Sequence, residues 1–120
     1  DDRPATASPA AIRLIRDRIG FDGLLMSDDI GMNALSGTPA ERTAAAIAAG
    51  CDLVLACNLS RAEFEQVAAA AGTMGLAASR RANAALARRA APDAADPAEL
   101  RAELAALLDP RHLLSKNIPG

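Results

Sequence analysis

The stretch that decides the fold is Gly23-Leu24-Leu25-Met26-Ser27, a short apolar run that no charged residue interrupts. A second such run, Asp52-Leu53-Val54-Leu55-Ala56-Cys57, follows about 29 residues later. Continuous hydrophobicity is typical of strands buried on both faces of a parallel sheet. The spacing leaves room for one connecting helix, so the two runs predict successive βα units.

Helix start signals recur around these strands: a capping residue, often followed by proline, with Glu at the third helical position. They begin at Ser8-Pro9, Thr38-Pro39-Ala40-Glu41, Ser60-Arg61-Ala62-Glu63 and Asp96-Pro97-Ala98-Glu99, and the first three helices end at Gly20, Gly50 and Gly72. Helical spacing predicts inward-facing side chains in these helices, among them Ile12, Ile15 and Ile19 in the first, Phe64, Val67 and Ala71 in the third, and Leu100, Leu104, Leu107 and Leu108 in the fourth. The Ala-rich segment 76–90 carries four arginines, which we expect to be a solvated helix face or ion-pair partners.

The number of strands sets the fold class. Two adjacent parallel strands cannot bury both of their faces, and a complete eight-fold barrel needs at least about 200 residues. We therefore expect an α/β fold consisting of the last two βα units of a TIM-like (β/α)8 barrel followed by helices, an incomplete barrel over residues 1–120. The alternative is a small doubly wound domain with too few strands. In the incomplete barrel, Leu24, Met26, Val54 and Ala56 should be exposed or covered by a partner.

Composition excludes several classes of partner. The chain is 51% hydrophobic, alanine supplies about a quarter of it, it has no Trp or Tyr, and its formal charge is −2. Nucleic acids and anionic lipids both require clustered positive charge, so neither is an expected partner, and no apolar run approaches a membrane span of about 20 residues. Cys51 and Cys57 would lie about 20 Å apart on one strand, so they cannot pair with each other and are expected to be core residues.

Two adjacent carboxylates, Asp28 and Asp29, follow the first apolar run at the end where α/β proteins place their functional groups. Consecutive strand residues point to opposite sides, so we expect Asp28 to face the barrel mouth and Asp29 to hydrogen-bond neighbouring backbone. A purely structural role in loop capping remains the alternative for both. Two carboxylates alone do not indicate a metal site, and His112, which follows the last helix, is expected to be a tail or capping residue.

These residues resemble a known family when they are taken together. The segments are Asp2-Arg3-Pro4-Ala5-Thr6, Gly20-Phe21-Asp22-Gly23, Ser27-Asp28-Asp29-Ile30-Gly31-Met32, Glu41-Arg42 and Ala49-Gly50-Cys51-Asp52-Leu53-Val54-Leu55. In combination they are similar to the C-terminal half of the catalytic barrel of bacterial β-N-acetylhexosaminidases of glycoside hydrolase family 3. The resemblance is strong over residues 1–60. It implies that residues 1–120 are the C-terminal portion of one catalytic domain.

The resemblance also implies a mechanism. Enzymes of this family retain the anomeric configuration through a covalent glycosyl-enzyme, and the aspartate after the Ser of the motif, here Asp28, is the nucleophile. Asp29 would support it and Met32 would contact the substrate. The acid/base group of the family is a histidine on a loop earlier in the barrel, which nothing in this sequence matches, and His112 does not take that role. We therefore expect the isolated chain to be inactive.

The implied activity is that of a cytoplasmic exo-β-N-acetylglucosaminidase that removes terminal N-acetylglucosamine from peptidoglycan fragments during cell-wall recycling. Its expected partners are a carbohydrate substrate and the upstream remainder of the barrel, with no cofactor and no metal. One alternative is a family 3 glycosidase with another sugar, such as a β-glucosidase, although those commonly have Trp where this chain has Asp29. The other alternative is a non-catalytic, truncated barrel half that acts as an assembly partner.

Overall fold

The computed structural model describes residues 1–109 and shows a mixed α/β fold. Residues 1–89 form one compact unit, and residues 90–109 belong to a second. The elements are a 3₁₀ turn (Ala5–Ala7), α1 (Pro9–Arg13) with a π-helical turn (Leu14–Arg18), β1 (Met26–Asp29), α2 (Pro39–Ala49), β2 (Leu53–Leu55), α3 (Arg61–Ala71), α4 (Leu76–Leu86) and, in the second unit, α5 (Pro97–Leu107). The predicted α/β class and the order of strands and helices are confirmed.

The two strands pair in parallel, and α2 connects them in sequence as one βα unit. The predicted bounds of the first strand are wrong, because β1 begins at Met26 and not at Gly23. Arg16 explains the late start: its Nη1 donates to the carbonyl oxygens of Phe21 at 2.8 Å and Gly23 at 2.7 Å, which holds this segment against the π-helical turn. The second strand is shorter than predicted at both ends.

The helix start signals are confirmed. Thr38 caps α2 and Ser60 caps α3, each accepting from the backbone N–H of the Glu three residues later. Each Glu also accepts from the backbone N–H of its capping residue, which completes a capping box. The first and last predicted caps, Ser8 and Asp96, accept from backbone N–H groups of α1 and α5.

The core of the first unit lies between α1, α2 and the sheet. Its buried residues are Ile12, Ala46, Ala49 and Cys51, with Ile15, Leu25 and Val54 packed against them. Small alanine side chains let the helices approach closely. Gly50, which ends α2 with a φ of 114°, lies so near α1 that a Cβ there would be 2.9 Å from Ile12 Cγ2.

The inward position predicted for Ile19 is wrong, since its side chain is 70% exposed. The helix that begins at Pro9 changes to a π-helical turn, in which the N–H of Ile19 donates to the carbonyl of Leu14, five residues back. A π turn takes more residues per revolution than an α turn. Side chains after it are therefore rotated away from the face that Ile12 and Ile15 share.

Apolar side chains on the sheet are only partly covered. Met26 is 52% exposed, and Leu55 is also exposed. The expectation of an uncovered face is thus confirmed for Met26, but it is wrong for Val54, which is half-buried against the helical core. Leu24 and Ala56 are also half-buried. Val54 packs on the helical core while its neighbour Leu55 is exposed, because successive side chains of a strand point to opposite faces.

Both cysteines are free thiols. Cys51 is buried in the core, as predicted, whereas Cys57, two residues after β2, is only half-buried. Burial raises the pKa of the Cys51 thiol, and the neighbouring Asp52 carboxylate raises it further, while Arg16 acts in the opposite direction. Cys51 therefore behaves as a small apolar side chain.

A network of ion pairs fixes α4 to the sheet. Asp52 Oδ2 accepts from Arg16 at 2.7 Å and Asp52 Oδ1 accepts from Arg81 at 2.9 Å. Arg81 and Arg80 of α4 both reach Asp22, at 3.1 Å and 2.9 Å. Two of the four arginines in segment 76–90 are therefore ion-pair partners, as predicted.

The inward positions predicted for the leucines of α5 are wrong. Leu100, Leu104, Leu107 and Leu108 are each about half exposed or more. The apolar positions of this helix lie in the second unit, where the described residues contain no other helix or strand to cover them. Among residues 1–109, no helix is both long enough and apolar enough to span a membrane.

Candidate active site

The candidate site is built on Ser27-Asp28-Asp29, the last three residues of β1. Asp28 is part of the strand and does not follow it, contrary to the prediction, because β1 runs further along the chain than expected. Ser27 is buried, Asp28 is exposed and Asp29 is half-buried. The two carboxylates therefore lie in different surroundings, as the alternation of strand side chains predicts.

The side chain of Asp28 makes one hydrogen bond within residues 1–109. Its Oδ1 accepts a hydrogen bond from the backbone N–H of Asp29 at 2.8 Å. Among residues 1–109, no hydrogen bond reaches Asp28 Oδ2. One oxygen of this exposed carboxylate is thus held by the backbone, while the other is available to solvent or a ligand.

Asp29 joins the loops that follow the two strands. Its Oδ1 accepts from the backbone N–H of Gly31 at 2.9 Å and from that of Cys57 at 3.0 Å. The prediction that Asp29 turns into hydrogen bonds with backbone is confirmed. The fit is close, because a Cβ on Gly31 would lie 3.0 Å from the carbonyl oxygen of Cys57 and 3.1 Å from Asp29 Oδ1.

Arg42 of α2 holds the same loop from another side. Its Nη1 donates to the carbonyl oxygens of Ile30 at 3.0 Å and Met32 at 3.1 Å. Its Nε is buried without a hydrogen-bond partner in residues 1–109. The sequence motif includes Arg42, but sequence reasoning assigned it no role, since its two partners lie 10 and 12 residues away.

Met32, the predicted substrate contact, lies at the surface of this loop with its side chain exposed. Its backbone is held by the bond from its N–H to the carbonyl of Asp29 at 3.2 Å and by Arg42. The side chain is therefore presented from a fixed backbone.

A bulge interrupts the pairing of the strands at the site. Met26 pairs with Leu53 and Asp29 pairs with Leu55, so three steps along β1 face two steps along β2. Sequence reasoning missed this feature. The hydroxyl of Ser27 lies at the bulge, where it accepts from Leu55 N–H at 3.0 Å and donates to the carbonyl oxygen of Asp28 at 2.7 Å.

Residues of the two strands line two clefts. One of about 140 Å³ lies beside β1, and Met26, Ser27 and Asp28 contribute to its wall. Another of about 460 Å³ lies between β2 and α3. Its mostly apolar lining includes Leu53, Leu55, Phe64, Val67 and Met74.

The described residues hold no group of three or more His, Cys, Asp or Glu side chains that could bind a metal ion. His112, which the sequence analysis placed in a tail or capping role, lies outside the described residues.

Comparison with known families decides the classification. The sequence profile described as "Glycosyl hydrolase family 3 N terminal domain" matches residues 1–89, which include the whole site and all of the first compact unit. The chain belongs to glycosyl hydrolase family 3. The resemblance found in the motifs is thereby confirmed.

Curated relatives of this family 3 chain are bacterial. The β-hexosaminidase of Vibrio cholerae serotype O1 is 40% identical over 68 residues, which cover 54% of this chain and 21% of the relative. The β-hexosaminidase of Chromobacterium violaceum is 48% identical over 61 residues (48% and 17%), and that of Methylococcus capsulatus is 42% identical over 65 residues (52% and 20%). The match therefore spans about a fifth of the length of these relatives.

Proposed function

We propose that this family 3 chain supplies the nucleophile of a retaining exo-β-N-acetylglucosaminidase, and that the nucleophile is Asp28. The observation that carries the proposal is the exposure and hydrogen bonding of this carboxylate. It is exposed near the carboxyl end of a parallel strand, with Oδ1 held by a backbone N–H and Oδ2 without a hydrogen bond from residues 1–109. Such a group can approach a sugar without first breaking an ion pair.

The reaction would proceed in two steps. An oxygen of Asp28 forms a bond to the anomeric carbon while the bond from that carbon to the aglycone oxygen breaks, and this leaving oxygen takes a proton from a separate acid. Water then attacks the anomeric carbon and gives a proton to the conjugate base of that acid. The ester bond to Asp28 breaks and the carboxylate is restored. The first step inverts the configuration at the anomeric carbon and the second step inverts it again. The product therefore has the same anomeric configuration as the substrate.

We further propose that residues 1–120 are the C-terminal portion of one TIM-like catalytic domain. In residues 1–109 each strand has a neighbour on one side only, and side chains of the sheet such as Met26 are uncovered. Neighbouring strands of a barrel would fill these edges, and the match to only a fifth of each relative supports the same conclusion. The proton donor and most sugar contacts would come from that remainder, so the isolated chain should be inactive.

The substrate that we propose is a carbohydrate with terminal β-linked N-acetylglucosamine, specifically a peptidoglycan fragment in the cytoplasm. The names of the relatives support the hexosamine part of this assignment. Hydrolysis of aryl N-acetylglucosaminide, compared with hydrolysis of aryl glucoside by the same preparation, tests the choice of sugar. Preferential cleavage of the glucoside would refute it.

Asp28 is tested by trapping the covalent intermediate. The complete polypeptide that carries these residues is treated with a 2-fluoro or 5-fluoro glycosyl donor, digested, and analysed by peptide mass spectrometry. We expect the label on Asp28, and we expect Asp28→Asn to reduce turnover by several orders of magnitude while the protein stays folded. Asp17→Asn is the matched control, because it makes the same change at an exposed aspartate of the π-helical turn.

Other outcomes would refute the assignment. A label on another residue, or normal turnover by Asp28→Asn, excludes Asp28 as the nucleophile. A folded complete polypeptide without any glycosidase activity would favour the non-catalytic assembly role instead.

A further inference from the structure

Ser27 occupies an unusual position for a polar side chain, because it lies inside the sheet ladder at the bulge. The register that pairs Asp29 with Leu55 places the N–H of Leu55 opposite the carbonyl of Asp28. The Ser27 hydroxyl bridges these two groups, accepting from the first at 3.0 Å and donating to the second at 2.7 Å. Ser27 is only 6% exposed, so water has little access to replace it.

The carbonyl that Ser27 contacts belongs to the same peptide group as the N–H that contacts the nucleophile. The C=O of Asp28 accepts from Ser27 Oγ, and the N–H of Asp29 donates to Asp28 Oδ1 at 2.8 Å. A continuous chain of hydrogen bonds therefore runs from the Ser27 hydroxyl through one peptide plane to the Asp28 carboxylate. Linked hydrogen bonds of this kind polarise each other, and the peptide plane cannot rotate without breaking both.

We propose that Ser27 is a positioning residue that orients Asp28 for attack, an inference that rests on the proposed role of Asp28. Through the peptide plane Ser27 fixes Oδ1, which leaves Oδ2 as the attacking oxygen. The bulge contributes to the same positioning, because an extra residue in one strand bends that strand and changes the direction of neighbouring side chains. Ser27 itself does not touch the substrate.

The chain contains a closely matched control. Ser8 is also buried, at 2% exposure, and its hydroxyl also makes two hydrogen bonds, donating to Asp1 Oδ2 at 2.6 Å and accepting from Ala11 N–H at 3.1 Å. Ser8 caps α1, and neither of these two hydrogen bonds involves a residue of β1. Ser8→Ala thus removes a comparable hydroxyl with no path to the carboxylate.

The experiment compares Ser27→Ala, Ser27→Cys and Ser8→Ala in the complete polypeptide. Reaction of an aryl N-acetylglucosaminide is followed under single-turnover and steady-state conditions. We expect Ser27→Ala to lower kcat by about 100-fold, which is the effect of a nucleophile displaced by roughly 1 Å, with KM changed less than about threefold because sugar contacts are unaffected. Ser27→Cys keeps nearly the same shape but donates only weakly, so it should lose kcat as well. Ser8→Ala should keep kcat.

A second readout reports the hydrogen-bond chain without activity. The amide proton of Asp29 should shift upfield in the NMR spectrum of Ser27→Ala and Ser27→Cys, because its bond to Asp28 Oδ1 weakens, and it should stay in place in Ser8→Ala. If Ser27→Ala does not fold, Ser27→Cys supplies both measurements.

Three results would overturn the role of Ser27: unchanged kcat in both Ser27 variants, a rise in KM alone, or an equal loss of kcat in Ser8→Ala. Failure of the proposed function is seen separately, as normal turnover by Asp28→Asn. Loss of turnover in Asp28→Asn combined with unchanged Ser27 variants would reject the positioning role and keep the nucleophile.

Discussion

Replacement of Asp52 by Asn tests the ion-pair network that supports the sheet. The Asp52 side chain is 6% exposed and accepts from Arg16 at 2.7 Å, from Arg81 at 2.9 Å and from the backbone N–H of Leu25 at 2.9 Å. These contacts join the start of β1, the π-helical turn and α4 at one carboxylate. Loss of the charge therefore acts on three segments at once.

The magnitude follows from the burial of the partners. Removing one member of a buried ion pair costs about 3–5 kcal/mol. Asn keeps an oxygen that can accept from Leu25, and the side chains of Arg16 and Arg81 retain some solvent contact, so we expect a loss of about 2–3 kcal/mol for Asp52→Asn. With a urea m-value of about 1–3 kcal/mol/M, the unfolding midpoint should fall by about 0.7–3 M.

The effect depends on pH with a defined sign. Burial alone would raise the pKa of Asp52, but the hydrogen bonds from Leu25, Arg81 and Arg16 outweigh it and hold this pKa below its ordinary value. A lowered pKa in the folded state gives stability that is complete above about pH 4, the ordinary value for Asp. It is lost as the pH falls through the lower folded value. The difference between the native chain and Asp52→Asn should therefore shrink below pH 4.

The assay is urea unfolding of the chain followed by far-UV circular dichroism at pH 7, 4 and 2.5. Asp22→Asn is the control, because Asp22 also pairs with Arg81 and Arg80 but is exposed to solvent, where such pairs contribute little. Equal midpoints for Asp52→Asn and the native chain at pH 7 would refute the reasoning. A difference that grows at low pH would refute the assigned direction of the pKa.

Two further predictions concern the loops and the thiols. Gly31→Ala should destabilise the chain and increase amide exchange at Cys57, because the new Cβ would lie 3.0 Å from the Cys57 carbonyl oxygen and 3.1 Å from Asp29 Oδ1. Gly75→Ala meets no atom within 4 Å and affects only the N-cap of α4, so it should leave exchange at Cys57 unchanged. Ellman's reagent should modify Cys57 before Cys51, because Cys51 is buried and burial raises its pKa. Equal rates of modification would contradict the burial of Cys51.

The parts of the fold that depend on neighbouring residues were predictable from sequence. A capping box needs only residues three positions apart, so Thr38 and Ser60 could be identified as helix starts. The prediction that Ile19 faces inward was wrong because the π-helical turn changes the direction of the side chains that follow it. No local sequence motif predicts that turn. The predicted start of β1 was wrong for a similar reason, since the observed start depends on the hydrogen bond from Arg16 to Gly23.

The features of the candidate site were also predictable where they depend on neighbouring residues and not where they depend on distant ones. Alternation along a strand predicted that Asp28 and Asp29 would differ, and hydrogen bonding of Asp29 to backbone followed from that difference. Ser27 and Arg42 were not assigned roles, because their partners are distant in sequence: Ser27 reaches Leu55, 28 residues away, and Arg42 reaches back to the loop after β1. Sequence patterns locate the charged groups, while the backbone contacts that hold them require the folded chain.

These hydrogen bonds connect the carboxyl ends of the two strands to each other. Asp29 binds the N–H groups of Gly31 and Cys57, so the loop after β1 cannot move without the loop after β2. Ser27 ties β2 to the peptide that contacts Asp28. A carboxylate that must meet an anomeric carbon within a fraction of an ångström needs such support. The support comes from serine and aspartate side chains bound to backbone, which leaves Asp28 without an ion pair in residues 1–109 and available for the attack that we propose.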